Sequence, residues 1–297
     1  MILTDRVNAE LAGMRLDDAA KALFPQLSKG EIKRIVDWGG CYLSQVLVRV
    51  ASRGVKEGDE IALGVMEPER CIELAYRKEQ LLYEDKDFVA VYKADGFNSQ
   101  RTPYQLKGTV EYAVDCYLKG IGLRDGARVV HRLDRGTSGC MFFPKHKQAA
   151  TFISKLLKDG KVQKTYWALV SGSPDELQWS VNAPLGKVSK FRYGVALDGK
   201  PARTLFQVVG EGRGVTAVEA KPLTGRTHQI RVHLAHSGFP IIGDENYGGI
   251  PASRMMLHCR GMRFINAKGK IVEALAPVDG EFALAAPEEL LELQGAG

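Results

Sequence analysis

The pattern of apolar and polar positions along the chain predicts both helices and strands. Apolar residues recur at helical spacing over residues 14–23, 109–117 and 148–158. Shorter apolar or alternating runs are typical of strands, and they lie at 42–43, 46–48, 60–63 and 164–170, with a hairpin over 81–93. A further helix is expected to follow the turn at Gly225 and to run to Ser237.

The first part of the chain looks like a small module over residues 13–66. Ser28 followed by Glu31 is a capping-box pattern, which predicts a helix from there through Asp37. Three apolar residues of this helix are expected to face inward, which leaves a basic face made of Lys29, Lys33 and Arg34.

A charged stretch with little periodicity follows this module. We interpret residues 67–80 as a linker and residues 81–297 as the second domain. The length of 297 residues is sufficient for one large and one small domain.

The most distinctive stretch is 131–139, which reads His-Arg-Leu-Asp-Arg-Gly-Thr-Ser-Gly. Its flanks are apolar, at Val129 and Val130 before it and at residues 141–143 after it, which predicts a strand, a tight loop and a second strand. Asp134 lies between two arginines, which favour the ionised carboxylate, so it is expected to act as a nucleophile or base. The plainer interpretation is a surface aspartate in a turn, paired with a neighbouring arginine.

Composition adds limits to this picture. The formal net charge of +6 is compatible with a polyanionic partner. No apolar run approaches the length of a membrane span and no signal peptide is evident, so a cytoplasmic location is expected. The five cysteines are scattered, which argues against a disulfide framework. His228, His233 and His236 lack an acidic or cysteine partner at metal-site spacing, so no metal is expected.

Three motifs carry a family resemblance. The 131–139 string closely resembles the catalytic loop of the RluA-type pseudouridine synthases, whose nucleophile is the aspartate of His-Arg-Leu-Asp. The 164–170 strand is similar to the family's Lys-x-Tyr-x-Ala strand, whose tyrosine lies under the target base. The 225–233 string, Gly-Arg-Thr-His-Gln-Ile-Arg-Val-His, is the third match. The resemblance extends from residue 13 to about 284, and its front part, 15–61, resembles the S-four-type RNA-binding domain.

The resemblance implies an α+β fold, with a catalytic domain on a mixed, mainly antiparallel sheet behind a small N-terminal α+β RNA-binding domain. It implies isomerisation of uridine to pseudouridine in structured RNA without cofactor or metal. The implied catalytic residues are Asp134, Tyr166 and Arg231. Substrate contacts are expected from His131, Arg132, Lys164, Arg226, Lys29, Lys33 and Arg34. Ribosomal RNA is the first choice of target and transfer RNA the second, and a monomer is expected.

One departure and two alternatives accompany this interpretation. Where the family has a proline after its lysine, this chain has Ala94 and Asp95, which leaves the loop less preset. An RNA-binding assembly factor with an inactive synthase domain would predict loss of a catalytic residue, but all three are present. A hydrolase using Ser138 and His131 would lack the usual Gly-x-Ser-x-Gly elbow.

Overall fold

The computed structural model describes residues 1–65, 72–190, 192–212 and 214–295. The chain divides into two compact units, one formed by residues 1–75 and 98–122 and the other by residues 76–97 and 123–297.

The first unit contains an antiparallel sheet covered by helices. Its strands are β1 (Ile2–Arg6), β2 (Cys41–Leu43), β3 (Val46–Val48) and β4 (Glu60–Gly64), in the order β1-β4-β2-β3. Its helices are α1 (Leu16–Leu23), α2 (Lys29–Asp37) and α3 (Val110–Gly120). The predicted capping box is present at Ser28 and Glu31, and the predicted inward residues Ile32, Ile35 and Val36 are buried.

The division of the chain differs from the boundaries expected from the sequence. The first unit begins with β1 at residue 2 instead of at residue 13, and it includes residues 98–122 from beyond the expected linker. Within that unit the Leu106 amide donates to the Trp38 carbonyl at 2.8 Å, and the Tyr104 ring packs on Tyr42 at 4.7 Å between centroids. A segment that returns to an earlier unit leaves no signal in local periodicity. Residues 67–71 of the expected linker lie outside the described residues.

The second unit is organised on a large mixed sheet. Its strands among the described residues are β5 (Leu81–Glu84), β6 (Phe88–Lys93), β7 (Ser138–Pro144), β8 (Gln163–Ser171), β9 (Gln178–Asn182), β12 (Arg203–Gly212), β13 (Val215–Pro222), β14 (Leu257–Ile265) and β15 (Ile271–Leu275), while β10 (Leu185–Lys187) and β11 (Tyr193–Val195) form a separate hairpin. The order is β5-β6-β7-β14-β8-β13-β12-β9, and β15 pairs with β14. Only the β7–β14 pair is parallel among the described strands, so the expectation of a mixed, mainly antiparallel sheet is confirmed.

Four helices complete the second unit in the part of the chain that is described. They are α4 (Lys147–Lys158), α5 (Gln229–His236), α6 (Gly280–Ala285) and α7 (Glu288–Gly295). The amphipathic helix predicted over 148–158 is therefore confirmed. No helix in the described ranges has the length and apolar character needed to cross a membrane.

The expectation of two strands around the 131–139 loop was half wrong. The expected strand before the loop is absent, since residues 129–134 form neither helix nor strand. The expected strand after the loop is present as β7. The physical reason is that β6 and β14 already occupy both edges of β7, so Val129 and Val130 have no place in the sheet and stay half-buried. At Gly139, with φ +118°, a β-carbon would overlap the Cys259 carbonyl oxygen, so only glycine permits this close approach of β7 to β14.

Candidate active site

A buried lysine fixes the turn that carries Asp134. Lys93 ends β6 with no exposed surface, and its ammonium donates to the carbonyls of Ala94 at 3.0 Å, Arg135 at 3.0 Å and Thr137 at 2.7 Å. The Thr137 amide in turn donates to the Asp134 carbonyl at 3.0 Å. Burial lowers the pKa of Lys93 to about 7, although the charges of Asp95 and Asp134 oppose that shift.

The loop that lacks the family's proline is tied to this turn by hydrogen bonds. The Gly96 amide donates to the Arg135 carbonyl at 2.9 Å, and the Arg135 Nε donates to the Gly96 carbonyl at 2.8 Å. Gly96 has φ +79°, which glycine adopts readily. Asp95 lies 3.5 Å from the Arg254 guanidinium. The loop is therefore held by contacts to neighbouring segments instead of by a proline ring.

Arg231 on α5 joins two carboxylates. Its Nε and Nη2 bind Asp244 in a bidentate arrangement at 2.6 and 2.8 Å, and its Nη1 donates to Asp134 Oδ2 at 3.1 Å. The side chains of Arg231 and Asp244 are 8% and 2% exposed, while that of Asp134 is 32% exposed. Burial alone would lower the pKa of Arg231, but Asp244 and Asp134 outweigh it and raise the pKa.

His228 and Tyr247 complete the surroundings of Asp134. His228 lies just before α5 in the left-handed region, with φ +57°, a strained conformation that is common at functional sites. Its Nε2 is 3.7 Å from Asp134 Oδ2 and its Nδ1 is 2.8 Å from the Tyr247 hydroxyl. Burial lowers the pKa of His228, which favours the neutral ring, although the charge of Asp134 opposes that shift. The Tyr247 ring also lies 4.9 Å from the Arg231 guanidinium, within cation–π range.

Tyr166 lies buried on β8 close to the same carboxylate. Its pKa is raised well above the ordinary value, first by burial, then by Cys259 and by the charge of Asp134. Tyr166 therefore stays protonated at physiological pH. Trp167, one residue on, is 3% exposed with Arg260 over its ring, so it packs in the interior.

The structure gives His131 a structural position. Its Nε2 accepts a hydrogen bond from the Phe142 amide at 3.0 Å, which requires a neutral ring at that nitrogen. Burial, and then the charge of Lys164, lowers the pKa of His131 to about 3. His131 is therefore not a cation for a phosphate, contrary to the expectation that it contacts substrate directly, and it anchors the loop to β7.

The other expected contact residues are distributed over both units. In the second unit Arg132 is exposed beside Asp134, and the Arg226 Nε donates to the Pro201 carbonyl at 3.0 Å. Lys164 is half-buried, and burial lowers its pKa. In the first unit Lys29 is paired with Asp18, and Lys33 lies 3.7 Å from Asp17; Arg34, on the same helix, is half-buried.

The geometry excludes the hydrolase alternative. Ser138 is fully buried, and its Oγ lies 2.8 Å from His258 Nδ1 and accepts from Arg254 at 2.9 Å. His131 faces Phe142 instead, so the proposed Ser138–His131 pair does not form. A buried hydroxyl cannot attack an ester.

Of the three histidines considered for zinc, His233 has both ring nitrogens occupied by protein groups. Nδ1 lies 2.8 Å from the Thr204 hydroxyl, and Nε2 lies 3.1 Å from the Ala183 carbonyl. Within the described ranges, no group of three His, Cys, Asp or Glu side chains is arranged to hold a metal ion.

Sequence reasoning missed the roles of Lys93, His228 and Asp244. His228 was considered only as a metal ligand. The available signal was Lys93 itself, because a lysine at the inward end of an apolar strand requires buried partners.

Comparisons with known proteins agree with this site. A family model described as RNA pseudouridylate synthase matches residues 87–236, which is half of the chain and includes Asp134, Tyr166 and Arg231. The chain belongs to the RNA pseudouridylate synthase family. It is accordingly an isomerase, and the resemblance to the RluA-type synthases is confirmed.

Similar proteins extend the match over most of the chain. A protein of Aquifex aeolicus named as an uncharacterised RNA pseudouridine synthase is 33% identical, over 79% of this chain and 77% of that protein. The ribosomal large subunit pseudouridine synthase D of Haemophilus ducreyi is 30% identical, over 95% and 93%. The solved structure of human RNA pseudouridylate synthase domain containing 1 superposes with a TM-score of 0.58 at 27% identity, over 73% of this chain and 95% of that one.

The paired geometry predicts that Asp244→Asn destabilises the synthase strongly. The substitution leaves the buried Arg231 without its main compensating charge, which typically costs about 3–5 kcal/mol. The measurement is the free energy of unfolding in denaturant. Asp125→Asn is the matched control, since it removes an exposed partner of Arg128 at 3.5 Å and should cost less than about 1 kcal/mol. Equal losses of stability in the two variants would contradict the importance of the Asp244 pair.

A second prediction concerns Lys93 and pH. Because the folded-state pKa of about 7 lies below the unfolded value of 10.5, the unfolded chain binds more protons between these two pH values. The contribution of Lys93 to the free energy of unfolding is therefore fully present above about pH 10.5 and is lost as the pH falls to about 7. Relative to Lys93→Met, the unfolding free energy of the wild type should rise by up to about 1.4 kcal/mol per pH unit in that window. Denaturation at pH 7, 8, 9 and 10 measures this, and parallel curves would show that the lysine does not titrate there.

Proposed function

We propose that this synthase converts specific uridines of large-subunit ribosomal RNA to pseudouridine, with Asp134 as the catalytic nucleophile or base. The observation that carries the proposal is the partly exposed Asp134 carboxylate held against the buried Arg231. The target is supported by the relative that covers nearly the whole chain and is named for the ribosomal large subunit. Transfer RNA is the second candidate target.

The reaction requires a carboxylate that is ionised and fixed but still reachable. The bond from C1′ of the ribose to N1 of uracil breaks, the base turns, and C5 bonds to C1′ while C5 loses a proton and N1 gains one. Asp134 meets these needs because the Arg231 Nη1 holds its carboxylate through a hydrogen bond at 3.1 Å, and 32% of its side-chain surface stays open to a flipped nucleotide.

Tyr166 is proposed as a neutral platform for the flipped uracil. A buried phenol close to Asp134 can stack on the base and donate a hydrogen bond. The direction of its pKa makes the phenolate a minor form, so we assign it hydrogen-bond donation rather than storage of negative charge.

Three cations of the second unit are proposed to hold the RNA around the flipped nucleotide. Arg132 is adjacent to Asp134 in the loop and exposed, and it is placed to enter the space left by the base or to bind a phosphate. Lys164 lies near the residue that precedes Arg226, since a β-carbon at Gly225 would be 3.6 Å from the Lys164 Nζ.

The first unit is proposed as an S-four-type RNA-binding domain. Its charges differ from the expected basic helix face, since Lys29 and Lys33 are committed to acidic residues of α1. Arg53 and Lys56 are exposed after β3, and they are the better candidates for phosphate contacts. We further infer that the protein acts in the cytoplasm as a monomer, since Asp134, Tyr166 and Arg231 come from one chain.

The direct test is pseudouridine mapping of total RNA from cells with and without this protein. Wild type should restore the modification to specific ribosomal uridines, whereas Asp134→Asn should lower the rate by at least about 10³-fold, the scale seen when a nucleophile is removed. Asp125→Asn is the surface control and should behave as wild type. A comparable rate for purified Asp134→Asn would refute the assignment of Asp134, and an unchanged map without the protein would refute the target.

The RNA-binding role of the first unit predicts a smaller salt dependence for Arg53→Gln/Lys56→Gln. Removing one phosphate contact should reduce the log-log slope of affinity against salt by roughly 0.7–0.9, so the slope of the double variant should fall by about 1.4–1.8. Lys268→Gln/Lys270→Gln is the control with the same charge change, in the exposed turn between β14 and β15. Salt titrations of affinity for one target RNA compare the two double variants. Equal log-log slopes would argue against phosphate contacts at Arg53 and Lys56.

A further inference from the structure

A cavity of about 450 Å³ opens in the second unit beside the β10–β11 hairpin. Its other wall is formed by the turns at residues 198–200 and 225–227. The volume lies within the roughly 300–1,000 Å³ that is usual for small-ligand pockets. Its lining includes the charged residues Lys187, Asp198, Lys200 and Arg226, together with Tyr193 and Thr227.

The charge of this cavity favours an anion. Lys187, Lys200 and Arg226 contribute three cations against the single carboxylate of Asp198. Over the described ranges, neither Lys187 nor Lys200 has an ion-pair partner, and Arg226 uses only its Nε, on the Pro201 carbonyl. Unpaired ammonium groups and a guanidinium with free donors are the groups that bind phosphodiesters.

The cavity also contains an aromatic surface. Tyr193 is half-buried in its wall, with its ring edge against His228 at 69° and 5.8 Å between centroids. Its amide donates to the Tyr247 hydroxyl at 3.3 Å, which fixes the backbone at that point. A fixed aromatic ring beside cations is the combination with which proteins bind unpaired nucleotides, because every base can stack on it.

The cavity adjoins the reacting carboxylate without containing it. Thr227 in its wall precedes His228, whose Nε2 lies 3.7 Å from Asp134 Oδ2. Asp134, Tyr166 and Arg231 themselves do not line the cavity. A uridine that reacts at Asp134 therefore leaves the cavity empty, and the nucleotide connected to it by one phosphodiester bond is the part of the strand that reaches there.

We propose that this cavity binds the nucleotide adjacent to the target uridine, with its base against Tyr193 and its phosphate held by Lys187, Lys200 and Arg226. The inference rests on the proposed action of the Asp134 site on uridine in RNA. It makes the substrate a segment in which at least two consecutive nucleotides are unpaired. Stacking and phosphate contacts tolerate any base, so the neighbour is selected by being unpaired instead of by its identity.

The test measures binding of oligouridylates of one, two, three and five nucleotides to the full chain carrying Asp134→Asn, which prevents turnover. In the Asp134→Asn protein, extension of the oligouridylate from one to three nucleotides should raise its affinity at least about tenfold. Adding Lys187→Gln/Lys200→Gln should reduce this gain in affinity to about threefold or less and lower the salt slope by up to about 0.7, since single strands give roughly 0.7 per neutralised phosphate and the two lysines share one. Asp198→Asn should increase the gain, and Lys268→Gln/Lys270→Gln should leave it unchanged.

Tyr193→Leu separates a nucleotide site from a simple anion site. Added to Asp134→Asn, it should reduce the gain in affinity from one to three nucleotides about fivefold or more, because it removes the stacking surface. Inorganic tripolyphosphate should bind equally to the proteins with and without Tyr193→Leu. An unchanged gain in Lys187→Gln/Lys200→Gln, no gain with length in the Asp134→Asn protein, or an unaffected gain in Tyr193→Leu would each overturn the proposal. Pseudouridine mapping reports on conversion without using these variants, so failure of the proposed function is distinguishable from failure of this site.

Discussion

The Arg231 guanidinium, shared between Asp244 and Asp134, is the interaction on which the site depends. A buried cation is stable only with a well-oriented partner, and Asp244 supplies it through two hydrogen bonds. That arrangement directs the remaining Nη1 towards Asp134, 97 residues away in sequence. The two carboxylates therefore have different roles, and their exposure differs accordingly. Asp244 is buried and holds the arginine, while Asp134 remains accessible to substrate and still faces a fixed cation.

The turn that carries Asp134 also depends on a buried cation, Lys93, whose hydrogen-bond partners are neutral backbone carbonyls. Lys93 places an ammonium where the carbonyls of Ala94, Arg135 and Thr137 converge, so one buried cation joins three backbone acceptors. The β6–β7 register, which pairs Lys93 with Gly139, delivers the ammonium to that point. Gly139 in turn permits β7 to lie against the Cys259 backbone. The position of Asp134 is therefore set from below by the sheet, so its own side chain is free for Arg231 and substrate.

The parts of this structure that sequence reasoning predicted are those with a local signal. Helix α2 was predicted to within one residue, because its capping box and its apolar spacing agree. The Asp134, Tyr166 and Arg231 motifs were found because each is a contiguous string. The return of residues 98–122 to the first unit and the Arg231–Asp244 pair were not predicted, because both join segments distant in sequence. His131 shows the remaining difficulty, since the same motif residue can bind a phosphate or a backbone amide, and only the fold decides between them.

The distribution of ion pairs changes what the net charge of +6 means. Lys29 and Lys33 belong to the most obvious basic helix face, yet both lie against acidic residues, which cancel much of their field. Lys187 and Lys200 belong to no basic run, yet over the described ranges their ammonium groups are unpaired beside a concave surface. A cation without an ion-pair partner binds a phosphate more favourably than a paired one, because no existing ion pair must be broken. The cations to test first for RNA contact are therefore the unpaired ones.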